Sequence, residues 1–259
     1  MQSTGNTILI TGGGSGIGRG LAEAFHELGN KVIIAGRRKD VLDQTTSANP
    51  GMVSISLDID DPAAILAFAK KAVTEHPALN VLVNNSGIMR LEDLVNHPED
   101  LSVPEATITT NLLGPIRLTS ALLPHLSKQS QPVILNVTSS LAFAPLAFAP
   151  VYCATKAAMH CWTESLRYQL SRTGMQVIEL VPPYVQTELT GPRQASDPLA
   201  MPLKDFVAES MQILQSQPGV AEVIVENARP QRFAAESGTA GYNALVKTFN
   251  DAIAKMMSA

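Results

Sequence analysis

The chain has 259 residues, of which 45% are hydrophobic and 16% charged, a composition that is ordinary for a globular protein and argues against long disordered stretches. Its formal net charge of -4 provides no basic surface for a nucleic acid or an anionic membrane, so neither partner is expected. The N-terminal residues lack the basic head and long apolar stretch of a signal peptide, which leads us to expect a cytoplasmic protein.

Short β-branched segments alternate with helix-length amphipathic segments, a pattern typical of parallel strands joined by crossover helices. The predicted strands are Ile8–Thr11, Lys31–Ala35, Val53–Leu57, Val81–Asn84, Val133–Val137 and Gln176–Val181. The predicted helices are Gly18–Leu28, Pro62–Glu75, Glu105–Leu126, Tyr152–Ser171, Leu203–Gln215 and Tyr242–Met257. No internal repeat or low-complexity linker divides the chain. We therefore predict one α/β domain over residues 1–259, a Rossmann-type doubly wound parallel sheet with helices on both faces.

Two features interrupt this pattern. The third predicted helix contains Pro115 and Pro124, which indicate a kink or an earlier end because proline lacks the N–H that a helix interior needs. Beyond Thr187 the periodic pattern gives way to a polar stretch rich in turn-forming residues. We predict a substrate lid near residues 188–215, and a plain surface connection is the alternative that the sequence leaves open.

A glycine-rich turn, TGGGSGIG at residues 11–18, follows the first predicted strand and leads into the first predicted helix. Glycines let the backbone approach a pyrophosphate closely, and the helix that follows presents unpaired N–H groups to the anion. An ordinary glycine turn is the alternative, which the context of strand, turn and helix disfavours. The predicted contacts of this turn with a dinucleotide are Gly12, Ser15, Gly16, Ile17 and Gly18.

Two arginines, Arg37 and Arg38, follow the second predicted strand, where NAD-selective domains usually carry an acidic residue for the ribose hydroxyls. Guanidinium groups can hold a 2′-phosphate through bidentate, charge-assisted hydrogen bonds. The sequence therefore favours NADP(H) over NAD(H), with a solvated pair of surface arginines as the alternative.

Tyr152 and Lys156 are four residues apart and share one face of a predicted helix. A neighbouring ammonium is expected to lower the pKa of the phenol and make Tyr152 a general acid/base. Ser139 lies at the end of the fifth predicted strand, at the sheet edge where ligands bind, and can donate to a substrate oxygen. The adjacent Ser140 is the alternative for this role.

These motifs occur in an order that resembles the short-chain dehydrogenase/reductase family across about residues 7–190, and the chain is most similar to its DltE-like bacterial oxidoreductases. The matching segments are the glycine turn, Asp58 and Ile59, NNSG at residues 84–87, Asn111, the Tyr152/Lys156 pair and PPYVQT at residues 182–187. Pro183 stands where the family usually has glycine.

The resemblance implies a catalytic tetrad and a set of cofactor contacts. The tetrad is Asn111, which orders a water in the proton relay, with Ser139, Tyr152 and Lys156. Further implied cofactor contacts are Asp58 and Ile59 at the adenine, Asn85 and Gly87 at the pocket wall, Lys156 at the nicotinamide ribose, and Val185 and Thr187 at the carboxamide. The resemblance also implies a homodimer or homotetramer.

The loop Leu141–Phe148 separates Ser139 from Tyr152 and is expected to wall a pocket that favours apolar substrate groups, although ordinary core packing is equally consistent with its sequence. His160 could share a helix face with Glu164, but no third ligand is near in sequence, so no metal is expected.

Together these patterns predict an oxidoreductase that moves a hydride between NADP(H) and a small-molecule carbonyl or alcohol, with Tyr152 as the acid/base. A catalytically silent protein that binds and senses a dinucleotide is the alternative from another functional class. The intact acid/base set favours the enzyme.

Overall fold

The computed structural model describes residues 1–96 and 101–257, except for the side chains of residues 256 and 257. The strands are β1 (Thr7–Thr11), β2 (Lys31–Gly36), β3 (Val53–Ser56), β4 (Leu79–Asn84), β5 (Val133–Val137), β6 (Gln176–Val181) and β7 (Glu222–Ile224). They form a parallel, seven-stranded sheet in the order β3-β2-β1-β4-β5-β6-β7. The strand order reverses between β1 and β4, and the carboxyl ends of these two strands are where such a sheet opens to a ligand.

The helices of the described residues connect these strands. They are α1 (Gly16–Glu27), α2 (Lys39–Ala48), α3 (Pro62–Glu75), α4 (Ser102–Ile108), α5 (Gly114–Leu126), α6 (Pro150–Leu170), α7 (Leu203–Ser216), α8 (Arg229–Arg232) and α9 (Gly238–Met257). None of these helices combines the length and the apolar character that crossing a bilayer requires.

Both faces of the sheet are apolar, because helices cover both of them. Successive residues of a strand point to opposite faces. Leu135 of β5 packs with Phe25 of α1 and Phe206 of α7, whereas Ile134 packs in a second cluster with α3, α5 and α6. Complete burial of a large apolar side chain such as Phe25 contributes roughly 2–3 kcal/mol to stability. The predicted doubly wound sheet, with helices on both faces of a single domain, is confirmed.

All predicted strands form, with ends that match or differ by at most two residues. Helices α2 and α8 and strand β7 were not predicted, although β7 is the middle of an apolar run at residues 220–225. The final helix begins at Gly238, four residues before the predicted start at Tyr242. Such errors arise at short or weakly amphipathic elements, whose burial depends on distant parts of the chain.

The predicted helix Glu105–Leu126 is interrupted by a π-helical turn at Thr109–Leu113. The amide of Gly114 reaches back to the carbonyl of Thr109, and Pro115 has no amide to donate to an earlier turn. At Pro124 the alternative of an earlier end is wrong, because α5 continues to Leu126, which is the predicted end of the helix.

Candidate active site

A cleft of about 500 Å³ follows the carboxyl edge of the sheet across the strand-order reversal. Its volume is within the range that binds small molecules and cofactors. The predicted site residues that line it are Gly12, Ser15, Gly16, Ile17, Arg37, Arg38, Ile59, Asn85, Gly87, Ser139, Tyr152, Lys156, Val185 and Thr187. Gly18, Asp58 and Asn111 are not part of this lining.

The glycine turn is built against the end of β4. The hydroxyl of Thr11 accepts hydrogen bonds from the amides of Asn85 and Ser86, at 2.9 and 3.0 Å. A Cβ on Gly12 would lie 2.9 Å from the side-chain nitrogen of Asn85, and a Cβ on Gly18 would overlap with the same nitrogen and with a backbone oxygen. Gly18 therefore permits close packing behind the cleft.

The start of α1 is available to an anion. Ser15 is the N-cap residue, and its side chain makes no hydrogen bond to the helix backbone. The first amides of α1 therefore have no capping side chain, and the positive end of the helix dipole lies on the cleft. Because Gly16 has φ of +52° and no side chain, the turn exposes its backbone to the cleft. This arrangement fits the pyrophosphate of a dinucleotide.

The two arginines differ in their partners. Arg38 donates a hydrogen bond of 3.0 Å to the hydroxyl of Ser15, whereas Arg37 forms an ion pair of 3.1 Å with Asp60. Asp60 also accepts a 2.6 Å hydrogen bond from Thr110, so it links β2 to the π-helical turn. The sequence analysis did not assign Asp60 a role. Asp58 is exposed and accepts a hydrogen bond from the amide of Asp60.

Tyr152, Lys156 and Ser139 meet at the other end of the cleft. The phenol of Tyr152 lies beside Ser139, whose hydrogen bonding acts to lower the pKa of that phenol. Lys156 lies 5.7 Å from the centre of the Tyr152 ring and donates a 2.9 Å hydrogen bond to the carbonyl of Val137. Ser140 is buried outside the cleft lining, and its amide donates to the carbonyl of Pro182.

Burial determines the proton affinities of this pair. Burial raises the pKa of Tyr152 to about 12, although hydrogen bonding by Ser139 acts to lower it. Burial lowers the pKa of Lys156 to about 8, although the negative charge of Glu179 acts to raise it. The expected lowering of the Tyr152 pKa by Lys156 is therefore wrong for the cofactor-free protein, because desolvation of the phenolate is the larger effect.

Asn111 lies in the π-helical turn and joins two elements. Its side chain accepts a 2.8 Å hydrogen bond from the amide of Ile88 and donates one of 2.9 Å to the carbonyl of the same residue. It also donates to Thr155 of α6, at 3.3 Å. A Cβ on Gly87 would lie 3.3 Å from the Asn111 oxygen. Asn111 therefore fixes the chain after β4 against α6.

The segment after β6 is held by Gln194, a buried residue that the sequence analysis missed. Its side-chain nitrogen donates to the carbonyl of Val185 at 2.7 Å and to the hydroxyl of Thr187 at 3.1 Å. Val185 also forms a β-bridge with Met201, and Pro183 lines the cleft beside them. The first part of the predicted lid is thus tied to Val185 and Thr187 of the cleft lining. No sequence motif marks Gln194, because its partners are backbone and hydroxyl groups.

An apolar cluster lies behind Tyr152. Met89, Leu146, Ala149 and Cys153 pack around it, and Phe148 and Leu189 contact the cluster. None of residues 141–148 lines the cleft, so the prediction that this loop walls the pocket is wrong; Leu146 and Phe148 belong to the packed cluster behind Tyr152. Phe143 instead packs against the core and His160, with 4.6 Å between ring centres, so for this residue the alternative of core packing is correct.

The C-terminal helix reaches the same cluster, which the sequence did not indicate. Phe249 and Ile253 of α9 pack against it. Asn250 accepts a 2.6 Å hydrogen bond from the amide of Ala147 and donates one of 3.0 Å to the carbonyl of Pro145. The loop behind Tyr152 is therefore fastened to α9.

No group of three or more histidine, cysteine, aspartate or glutamate side chains within residues 1–96 and 101–257 is arranged to hold a metal ion.

Comparison with known proteins agrees with this architecture. A solved short chain dehydrogenase from Burkholderia cenocepacia J2315 in complex with NADP superposes with a TM-score of 0.81 at 24% identity, covering 95% of this chain and 99% of that one. The 3-ketoacyl-(acyl-carrier-protein) reductase from Brucella melitensis complexed with NADH gives a TM-score of 0.77 at 26% identity, covering 88% and 100%.

The sequence comparisons are more specific. The uncharacterized oxidoreductase DltE of Bacillus subtilis (strain 168) is 46% identical over 189 residues, which cover 73% of this chain and 75% of that protein. The family model described as short chain dehydrogenase matches residues 6–198, from the first strand to the segment held by Gln194. The chain belongs to the short chain dehydrogenase family, as its motifs predicted.

Proposed function

We propose that this protein is an NADP(H)-dependent oxidoreductase that interconverts a carbonyl and an alcohol, with Tyr152 as the general acid/base. The observation that carries the proposal is that Tyr152, Ser139 and Lys156 line the same cleft as the glycine turn. A phenol and a hydroxyl that lie together at one end of a cleft can both interact with one substrate oxygen.

The lining of the cleft supports a dinucleotide as the cofactor, and NADP(H) supplies the hydride donor or acceptor of the reaction. The free amides of α1 would bind the pyrophosphate, with Ser15, Gly16 and Ile17 at this position. Asn85 and Gly87 would form the pocket wall, and Ile59 and Asp58 would lie toward the adenine. Lys156 would hold the nicotinamide ribose, and Val185 and Thr187 would bind the carboxamide.

In the direction of reduction, Tyr152 gives its phenolic proton to the carbonyl oxygen, and Ser139 donates a hydrogen bond to the same oxygen. With a pKa of about 12, Tyr152 is protonated at neutral pH, which is the state that this step needs. Lys156 stabilises the phenolate that forms, and Asn111 keeps the chain after β4 in contact with α6 so that the groups stay aligned.

NADP(H) is preferred over NAD(H) in this proposal because Arg37 and Arg38 line the end of the cleft beside the glycine turn. Arg38 donates a hydrogen bond to the hydroxyl of Ser15. Its guanidinium group is therefore already directed toward the proposed phosphate site. A 2′-phosphate would offer both guanidinium groups a doubly charged partner.

Replacing Tyr152 by phenylalanine tests the proposal. The variant should bind NADPH with a dissociation constant close to that of the parent, but reduce a panel of aldehydes and ketones about 100-fold more slowly or worse. Tyr168→Phe is the matched control, since this tyrosine is 84% exposed on the same helix. Undiminished reduction by the Tyr152 variant would contradict the proposal, and binding of NADPH without turnover by the parent protein would favour the dinucleotide sensor.

We also propose that the protein acts in the cytoplasm as a homodimer or homotetramer on a small-molecule carbonyl or alcohol. The partly exposed apolar side chains Ile108 and Leu113, beside the cleft-forming π-helical turn, support self-association. Light scattering at several protein concentrations measures the assembly, and a monomer at all of them would refute this part.

A further inference from the structure

Glu179 is a completely buried acidic residue in β6, on the face of the sheet that packs against α6. A buried carboxylate is costly unless other groups solvate it. Two side chains do so: the hydroxyl of Thr138 donates a 2.6 Å hydrogen bond to one carboxylate oxygen, and Nδ1 of His160 lies 2.8 Å from the other. Neither residue belongs to the proposed catalytic tetrad.

Consecutive residues at the end of β5 join this carboxylate to the active site. The carbonyl of Val137 accepts the hydrogen bond of Lys156, the side chain of Thr138 donates to Glu179, and Ser139 lines the cleft with Tyr152. Val137 and Thr138 share one peptide unit. Any movement of Thr138 therefore moves the oxygen that holds Lys156.

The charge of Glu179 also acts on Lys156, in addition to the hydrogen bonds that connect the two residues. Burial lowers the pKa of Lys156, and the negative charge of Glu179 raises it and opposes that loss of the proton. The hydrogen bond of His160 to Glu179 also raises the pKa of the imidazole, so the carboxylate favours the protonated histidine.

Further charged groups extend this cluster to the surface. Nε2 of His160 lies 3.6 Å from Glu164, which is on the next turn of α6 and is half exposed. Glu222 of β7 and Arg232 of α8 form a 2.7 Å ion pair; Glu222 acts to raise the pKa of His160, and Glu179 acts to raise that of Arg232. Lys156, Glu179, His160 and Glu164 thus form a row of groups of alternating charge, and Lys156 is its buried end.

We propose that Glu179 is a positioning residue of the active site, which fixes Lys156 through Thr138 and supplies a buried negative charge behind it, while His160 balances that charge. This inference rests on the role proposed for Lys156 in the reaction. A purely structural ion pair between Glu179 and His160 is the competing explanation.

Glu179→Gln separates the two, because it keeps the shape and an oxygen for Thr138 but removes the charge. In the cofactor-free protein, a ¹³Cε NMR titration of Lys156 should show its pKa lowered by about one unit relative to the parent. The alkaline limb of the pH profile for carbonyl reduction should move to lower pH by a similar amount. Glu164→Gln is the matched control, since it removes a carboxylate beside the same histidine but far from Thr138, and neither measurement should change.

An unchanged Lys156 titration in a folded Glu179→Gln variant would overturn the proposal, as would an equal shift in Glu164→Gln. If Glu179→Gln alone does not fold, the double variant with His160→Gln replaces the ion pair by two amides that can bond to each other, and the same lowered Lys156 pKa is expected. If the parent protein reduces no carbonyl, the proposed function fails, while the titration still decides whether Glu179 sets the charge of Lys156.

Discussion

Arg38 donates a 3.0 Å hydrogen bond to the hydroxyl of Ser15, and through this contact a side chain that follows β2 reaches the N-cap residue of α1 within the glycine turn. Its neighbour Arg37 is directed to Asp60 instead. The two arginines are therefore unequal, which the sequence pattern of two adjacent guanidinium groups does not indicate.

Arg38→Ala should weaken NADPH binding more than Arg37→Ala does, because Arg37 must share its charge with Asp60. Loss of a charge-assisted hydrogen bond corresponds to about 10- to 100-fold in the dissociation constant. Fluorescence titration with NADPH and NADH measures the effect. The affinity for NADH should change little, and an equal loss for both cofactors would contradict the assignment of Arg38 to the 2′-phosphate.

Ser139→Ala should lower the rate of carbonyl reduction by about 100-fold, because it removes a donor that is aimed at the developing charge on oxygen. Ser140→Ala is the control, since Ser140 is buried outside the cleft lining and its backbone contacts do not need the hydroxyl. Turnover of the two variants under saturating NADPH is the measurement. A larger loss in Ser140→Ala would reverse the assignment.

Gly18→Ala should destabilise the protein by about 1–3 kcal/mol and weaken dinucleotide binding, because the added methyl overlaps with Asn85 and with the backbone of Gly12. Gly219→Ala is the matched control, since a Cβ there would have nothing within 4 Å. Urea unfolding and NADPH titration of both variants report the two effects. Equal stability of the two variants would show that the turn can adjust without cost.

Lys156 should make stability depend on pH in an alkaline window. Its pKa is lowered from 10.5 to about 8 on folding, so the unfolded chain binds more protons between these values, and stability rises with pH across them. A shift of this size corresponds to about 3 kcal/mol. The free energy of unfolding of the parent, relative to Lys156→Met, should therefore increase between pH 8 and pH 10.5. A constant difference between the two proteins would show that Lys156 titrates normally.

The fold was predictable because its signals are local. Alternating strands and helices, the glycine turn and the spacing of Tyr152 and Lys156 all follow from short stretches of sequence. The proton affinities were not predictable, since burial of Tyr152 depends on Leu146 and other residues that the fold brings together. Glu179 had one usable signal, a single charged residue within an otherwise apolar strand, but its partner His160 is distant in sequence.

The helix α9 lies beyond residues 6–198, the region that matches the family, and yet its residues Phe249 and Ile253 pack against the cluster around Tyr152. The part of the chain that carries the family's motifs and the part that packs behind Tyr152 are thus encoded separately. Changes in the C-terminal segment therefore alter the packing behind Tyr152 without altering the glycine turn or the Tyr152/Lys156 pair.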